Sequence, residues 1–92
     1  MRLTIFSPRF NRRRVALVTS KEIARALARC IVALGRESLP GPGDYEAMMP
    51  PTAVYWVRRV LGANLWLWFA FDDERLYLVH LGSSPPIPMN DR

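Results

Sequence analysis

The sequence has little of three residue types: its 92 residues include one cysteine, one histidine and one lysine. A lone cysteine, Cys30, cannot form an intramolecular disulfide, so the fold does not depend on an oxidising compartment and a cytoplasmic location is expected. The apolar stretch after the basic N-terminal residues, residues 15–18, is too short for a signal peptide, and no run approaches the ~18 apolar residues of a membrane span. Export and membrane insertion are therefore not expected.

Sequence motifs for cofactor or metal chemistry are also missing. The chain has no glycine-rich phosphate loop, no cysteine and histidine cluster with zinc spacing, and no serine or cysteine nucleophile motif. Cys30 belongs to an apolar stripe of helical spacing and is expected to be buried rather than reactive. We therefore predict no cofactor and no metal site.

The length and composition predict a single small domain, because a second core needs roughly 50 residues or more. Half of the residues are hydrophobic and 11% are aromatic. That is a high share for a small domain, and part of the apolar surface is expected to contact a partner. We assign residues 1–82 to the domain. Residues 83–92 contain three prolines and predict a flexible, extended tail.

The net charge of +5 is unevenly distributed along the chain. Residues 1–36 carry a net charge of +8, whereas residues 37–92 carry −3. A segregated basic segment favours an anionic partner, most commonly nucleic acid, although a solvated basic helix that keeps the protein soluble is the simpler alternative. The candidates for contact with RNA phosphates or with an acidic protein segment are Arg9, Arg12, Arg13, Arg14, Arg25 and Arg29.

The first third of the chain predicts one strand and two helices. Residues 2–6 alternate polar and apolar side chains, as a short strand does. Pro8 suits the first turn of a helix, and a first helix is expected at about residues 8–17. Apolar residues recur at helical spacing over residues 20–34 and predict a second helix, which Gly35 is expected to end.

The rest of the chain predicts a β-meander. Residues 38–52 hold four prolines and two glycines and are expected to form an irregular connection. Residues 53–60, 65–71 and 75–81 each predict a strand, and short turns join them. The fold class expected from the sequence is therefore α+β: an N-terminal strand, a two-helix hairpin and a three-stranded antiparallel meander.

The order of these elements resembles the RelE/ParE superfamily of bacterial toxins. Three motifs contribute to the resemblance, which spans about residues 2–82: I-F-S-P-R at 5–9, R-V-x-G at 59–62 and L-Y-L-V-H-L-G at 76–82. The resemblance implies a β-α-α-β-β-β fold and the toxin component of a type II toxin–antitoxin module, which a cognate antitoxin protein neutralises. RelE-type members cut mRNA in the ribosome, whereas ParE-type members inhibit DNA gyrase without cutting RNA.

The nuclease residues of the RelE-type members carry over only in part. Those members use an arginine after the glycine turn and another after the last strand, where this chain has Asn64 and the pair Ser83-Ser84. The resemblance still implies inhibition of translation by ribosome-associated mRNA cleavage. Gyrase inhibition by binding is the alternative, and a non-toxic basic adaptor for nucleic acid or protein is a third. Enzymatic activity and oligomeric state stay open.

Metal-independent RNA cleavage needs a base, a cation for the phosphate and an acid for the leaving oxygen. The candidate catalytic residues on the predicted sheet are Arg58, Arg59, His80 and Tyr77, with Tyr55 as a further tyrosine. Side chains of adjacent strand residues point to opposite faces, so Arg58 and Arg59 cannot share a face. His80 has the only side chain with an ordinary pKa near neutrality. Each candidate has a structural alternative: a rim arginine, a core histidine or a packed tyrosine.

Overall fold

The computed structural model describes residues 1–89. These residues form an α+β fold with two helices and a five-stranded mixed sheet. The elements are β1 (Leu3–Phe6), α1 (Pro8–Leu17), α2 (Lys21–Arg36), β2 (Tyr45–Met49), β3 (Ala53–Val60), β4 (Leu65–Phe71) and β5 (Arg75–Gly82). The strand order is β1-β5-β4-β3-β2, in which β1 runs parallel to β5 and the other neighbours are antiparallel. The predicted α+β class is confirmed.

Helix α1 occupies the predicted residues 8–17, and Ser7 fixes its first turn. The Ser7 hydroxyl accepts a hydrogen bond from the Phe10 N–H at 3.0 Å and donates one to the Val79 carbonyl at 2.9 Å. The first bond caps the helix, and the second ties the helix to β5. This residue therefore sets the position of the α1 arginines relative to β5.

Replacing Ser7 by alanine is expected to lower the free energy of unfolding by about 1 kcal/mol, because both hydrogen bonds of the cap are lost. Urea denaturation followed by circular dichroism measures this change. Ser83→Ala is the matched control, since Ser83 is exposed. Equal stability of the Ser7 variant and the wild-type protein would contradict the prediction.

Helix α2 is longer than predicted, because Gly35 does not end it. The helix continues to Arg36, and Gly35 is buried within its last turn. The Gly35 carbonyl accepts a hydrogen bond from the Arg2 N–H at 2.9 Å, which satisfies a carbonyl that has no partner within the helix. Gly35 is therefore part of the helix and does not form a left-handed turn at its end.

Strand β2 was not predicted, and the interpretation of residues 38–52 as wholly irregular is wrong. Strand β2 pairs antiparallel with β3. The prolines and glycines that dominate this segment flank a stretch of five residues that contains neither type, and Ala47 and Met49 of that stretch are buried. The three predicted meander strands are present and pair in order, but they form part of a five-stranded sheet.

Two clusters of buried side chains lie on opposite faces of the sheet. On the helix face, alternate residues of β4, namely Leu65, Leu67 and Phe69, pack with Leu27 and Leu34 of α2. The second face, called here the helix-free face, is centred on a cluster without helix residues. Its buried members are Ala47, Met49, Val57 and Trp68, and Tyr45, Tyr55, Trp66 and Val79 pack against them.

The segment after β5 runs along the outer edge of β2. The Tyr45 hydroxyl donates a hydrogen bond to the Pro86 carbonyl at 2.9 Å, and the Met89 N–H donates one to the Glu46 carbonyl at 2.8 Å. These bonds cover an edge that would otherwise expose unpaired backbone groups. The predicted tail extends to residue 92, and its last residues, 90–92, lie outside the described residues. Flexibility of the tail stays a prediction.

Candidate nucleic-acid interface

The side chain of Arg58 points to the helix face and is held in ion pairs. Its guanidinium lies 2.7 Å from the carboxylate of Asp44 and 2.9 Å from that of Glu37. The Asp44 side chain is 0% exposed and also accepts a hydrogen bond from the Gly41 N–H at 2.8 Å. The hydrogen bond from Arg58 to Asp44 raises the pKa of Arg58 above its ordinary value. Arg58 therefore anchors the loop before β2 to β3.

The side chain of Arg59 lies on the helix-free face, opposite Arg58, as the strand alternation requires. It is exposed, and its guanidinium carbon lies 6.0 Å from the centre of the Trp66 ring. Within residues 1–89, Arg58 is the only arginine in an ion pair. Arg59 thus combines a cation with an aromatic surface on the helix-free face, a combination that suits RNA phosphates and bases.

A bulge in β5 brings His80 to the helix-free face. Trp68 pairs with His80, but the next residue, Phe69, pairs with Leu78, so Val79 has no partner in the ladder. Val79 packs against the helix-free cluster, and the His80 ring lies edge-on to Trp68 with ring centres 6.2 Å apart. Two consecutive residues therefore contact the same face, which regular alternation does not allow.

Two arginines of α1 reach the end of β5 beside His80. The Arg9 guanidinium donates hydrogen bonds to His80 Nδ1 at 3.1 Å and to the Met49 sulfur at 3.2 Å. The Arg13 guanidinium donates one to the Leu81 carbonyl at 3.0 Å. The two arginines are four residues apart and so lie on the same side of the helix. The structure brings together Arg9, Arg13 and His80, and we call them the Arg9 cluster.

The environment of His80 lowers its pKa from 6.5 to about 4. Partial burial is the main cause, and the positive charges of Arg9 and Arg13 add to it. The ring is therefore neutral near pH 7. Since Nδ1 accepts the hydrogen bond from Arg9, the ring proton is on Nε2. His80 in this state is a hydrogen-bond donor through Nε2, but it is a weak base.

This lowered pKa predicts a pH-dependent contribution to stability. As the pH falls from about 6.5 to about 4, the unfolded chain binds a proton at His80 that the folded chain does not, so the free energy of unfolding decreases. His80 is partly exposed, and we expect a loss of about 1 kcal/mol after solvent screening. Urea unfolding at pH 7 and pH 4.5 measures it. If the His80→Gln variant lost as much stability between pH 7 and pH 4.5 as the wild-type protein does, His80 would not be the group responsible.

The two candidate tyrosines pack on the sheet outside the Arg9 cluster. Tyr77 is half-buried on β5 and pairs with Ala70, whereas His80 pairs with Trp68 on the far side of the bulge. Tyr55 packs against the helix-free cluster next to Val57. Tyr55 therefore has a packing role, and Tyr77 stays a secondary candidate for proton transfer.

The other predicted contact arginines point in several directions. Arg14 lies over the rings of Phe6 and Phe10, with distances of 5.7 and 6.0 Å to the ring centres. Arg12 is exposed on α1, and Arg25 and Arg29 are exposed on α2. The arginines of the basic segment thus do not form one continuous surface. Of the arginines on α1, Arg9 and Arg13 are the two that donate hydrogen bonds to β5.

A cavity of about 490 Å³ lies between α2 and the loop before β2. Cys30, Arg29 and the paired Arg58 and Asp44 are among its lining residues. Cys30 is buried, as predicted, and burial raises its pKa to about 11, so the thiol is protonated and unreactive near pH 7.

Residues 1–89 contain no group of three histidine, cysteine, aspartate or glutamate side chains placed to hold a metal ion. Neither helix of this part of the chain has the length and apolar character needed to cross a bilayer. Comparisons of the chain with protein families, with curated proteins and with solved structures find no match.

Two contacts of the site were not predicted from the sequence: the hydrogen bond from Arg9 to the Met49 sulfur and the hydrogen bond from Arg9 to His80. The sequence predicts Arg9 and Arg13 only as two of six candidate contact arginines. The four-residue spacing of Arg9 and Arg13 on a predicted helix places the two on one side, and that was the available signal for their grouping. The sequence gives no comparable signal for Met49, because its contact with α1 depends on the unpredicted strand β2.

Proposed function

We propose that this protein is the toxin component of a type II toxin–antitoxin module, and that it inhibits translation by cleaving mRNA on the ribosome. The RelE/ParE resemblance supports the family, and the strand, two helices and antiparallel strands of the fold agree with it in outline. One observation supports RNA as the target. Arg59 and the Arg9 cluster place cations and aromatic rings on the same helix-free face of the sheet. A cytoplasmic location and a cognate antitoxin belong to the same proposal.

The chemistry of this face suits single-stranded RNA. The arginines provide cations for phosphate groups, and Trp66 provides an aromatic surface next to one of them. Their guanidinium groups contact neutral acceptors or a ring rather than carboxylates. A phosphate group that approaches these arginines therefore displaces no acidic side chain and gains charge-assisted hydrogen bonds.

The proposed reaction is metal-independent transesterification. The 2′-oxygen of one nucleotide attacks the adjacent phosphorus and loses its proton to solvent water, while the bond to the 5′-oxygen breaks and that oxygen leaves with a proton from His80. The products are a 2′,3′-cyclic phosphate and a 5′-hydroxyl. Arg9 and Arg13 are the proposed cations for the scissile phosphate, Arg59 is the proposed cation for a neighbouring phosphate, and His80 is the proposed proton donor. Arg58 is not included in this set because its guanidinium is ion-paired with Asp44 and Glu37.

Purified ribosomes that carry mRNA in the decoding site provide the test. The folded protein is expected to cleave that mRNA and to leave 2′,3′-cyclic phosphate ends, which can be identified by enzymatic end-labelling. Intact mRNA in the presence of folded protein would exclude the nuclease.

Inhibition of DNA gyrase by binding is the second candidate function. Two of the predicted nuclease residues favour this function. Arg58 is held in ion pairs and cannot bind phosphate, and the lowered pKa of His80 makes its ring a weak base. A binding inhibitor needs neither residue. Supercoiling by purified gyrase is expected to be inhibited if this function is correct, and unaffected supercoiling would exclude it. Harmless expression at a high level would exclude both toxins and favour the basic adaptor.

A further inference from the structure

The two acceptors that hold Arg9 are weak ones. One is the neutral imidazole nitrogen Nδ1 of His80, and the other is the thioether sulfur of Met49. Thioether sulfur is a poor hydrogen-bond acceptor, whereas the planar guanidinium fork matches the two oxygens of a phosphate or carboxylate. An anion therefore offers Arg9 stronger hydrogen bonds than its present partners do.

Arg13 adds a second cation whose charge is not neutralised by an ion pair. Its guanidinium contacts one backbone carbonyl, that of Leu81. Arg9 and Arg13 both lower the pKa of His80, so both charges lie close to the ring. Within the described part of the chain, the ion-paired arginine is Arg58, on the other face of the sheet. The positive charge of the Arg9 cluster is thus uncompensated.

We propose that Arg9, Arg13 and His80 form a binding site for one phosphodiester group of RNA, which replaces Met49 and His80 as the acceptor for the Arg9 guanidinium. The identity of RNA as the source rests on the proposed function, whereas the affinity for phosphate rests on the geometry alone. Ser7 makes the site rigid, because its two hydrogen bonds fix the first turn of α1 against β5.

Binding of phosphate changes the state of His80. The anion neutralises the two arginine charges that oppose protonation of the ring, and Arg9 no longer occupies Nδ1. The pKa of His80 consequently rises from about 4, although the larger effect of burial remains. A phosphate group in place therefore increases the fraction of His80 that carries a proton it can donate. This order of events links substrate binding to the supply of the proton.

The single histidine makes the test direct, because His80 is the only source of imidazole signals in NMR spectra of the whole chain. We would titrate the protein with inorganic phosphate at constant ionic strength and follow the ring nitrogens of His80. The expected result is a saturable shift with phosphate and a pKa of His80 at least one unit higher, which is a tenfold gain in proton affinity. Arg9→Gln and Arg13→Gln are each expected to weaken the response.

Arg36→Gln is the charge-matched control, since Arg36 is exposed at the end of α2, and it should respond as the wild-type protein does. Absence of a saturable shift, or an equal response in all three variants, would overturn the site. An equal response to acetate would also overturn it and would indicate a carboxylate site for an acidic protein segment. A normal phosphate response with intact mRNA on ribosomes would leave this site standing and remove the proposed nuclease.

Discussion

Replacing Arg58 by alanine is expected to lower the free energy of unfolding by about 3–5 kcal/mol, because the change leaves a buried carboxylate without its cation. The Asp44 side chain is 0% exposed and receives two hydrogen bonds from the Arg58 guanidinium, at 2.7 and 2.8 Å. Glu37 loses a partner as well, but it is partly exposed and water can replace the arginine. Urea denaturation at pH 7 measures the loss.

Two further variants distinguish the effect of an unpaired buried charge from the effect of simply shortening an arginine side chain. Arg59→Ala, on the same strand, is expected to cost less than about 1 kcal/mol, since its contact with Trp66 is exposed. The double change Arg58→Ala and Asp44→Ala is expected to be more stable than Arg58→Ala alone, because no unpaired buried charge remains. Equal losses for the two single arginine variants would contradict a buried structural ion pair.

Replacing Arg9 by glutamine is expected to reduce the proposed mRNA cleavage on ribosomes by roughly 100- to 1000-fold, the usual effect of removing one donor that stabilises a developing negative charge. The change removes a charge-assisted hydrogen bond to the proposed phosphate and disturbs the coupling between phosphate binding and His80. Single-turnover cleavage with saturating ribosomes measures the chemical step rather than binding.

Arg36→Gln again serves as the charge-matched control and is expected to cleave at the wild-type rate. Thermal unfolding of both variants shows whether each is folded under the assay conditions. Wild-type cleavage by folded Arg9→Gln would exclude Arg9 from the reaction. Loss of cleavage by both variants would indicate a general effect of positive charge on ribosome binding instead of a specific phosphate contact.

The elements that could be predicted from the sequence are those whose boundaries are set by local chemistry. The bounds of α1, β3 and β4 agree with the prediction, because Pro8 begins α1, the turn at Gly62 follows β3 and acidic residues follow β4. Strand β2 could not be predicted in the same way. Its five residues are too few to show a period, and the prolines on both sides mark the segment as irregular.

The candidate site was only partly predictable, because it depends on tertiary contacts. Alternation showed that Arg58 and Arg59 lie on opposite faces, but it did not show which face the helices cover. His80 reaches its face through a bulge, which breaks the alternation. Its hydrogen bond with Arg9 joins residues 71 positions apart in sequence. Such a contact follows from the pairing of β1 with β5 and is not encoded locally.

The parallel pairing of β1 with β5 also determines when the Arg9 cluster can form during synthesis. Strand β1 is synthesised before β5 and must wait for it before the two can pair, and α1 packs on the same later strand. Both halves of the Arg9 cluster, on α1 and on β5, therefore stay apart until β5 has been synthesised. We expect the Arg9 cluster to form only after β5 has left the exit tunnel, so the proposed activity would be absent from the nascent chain before that point.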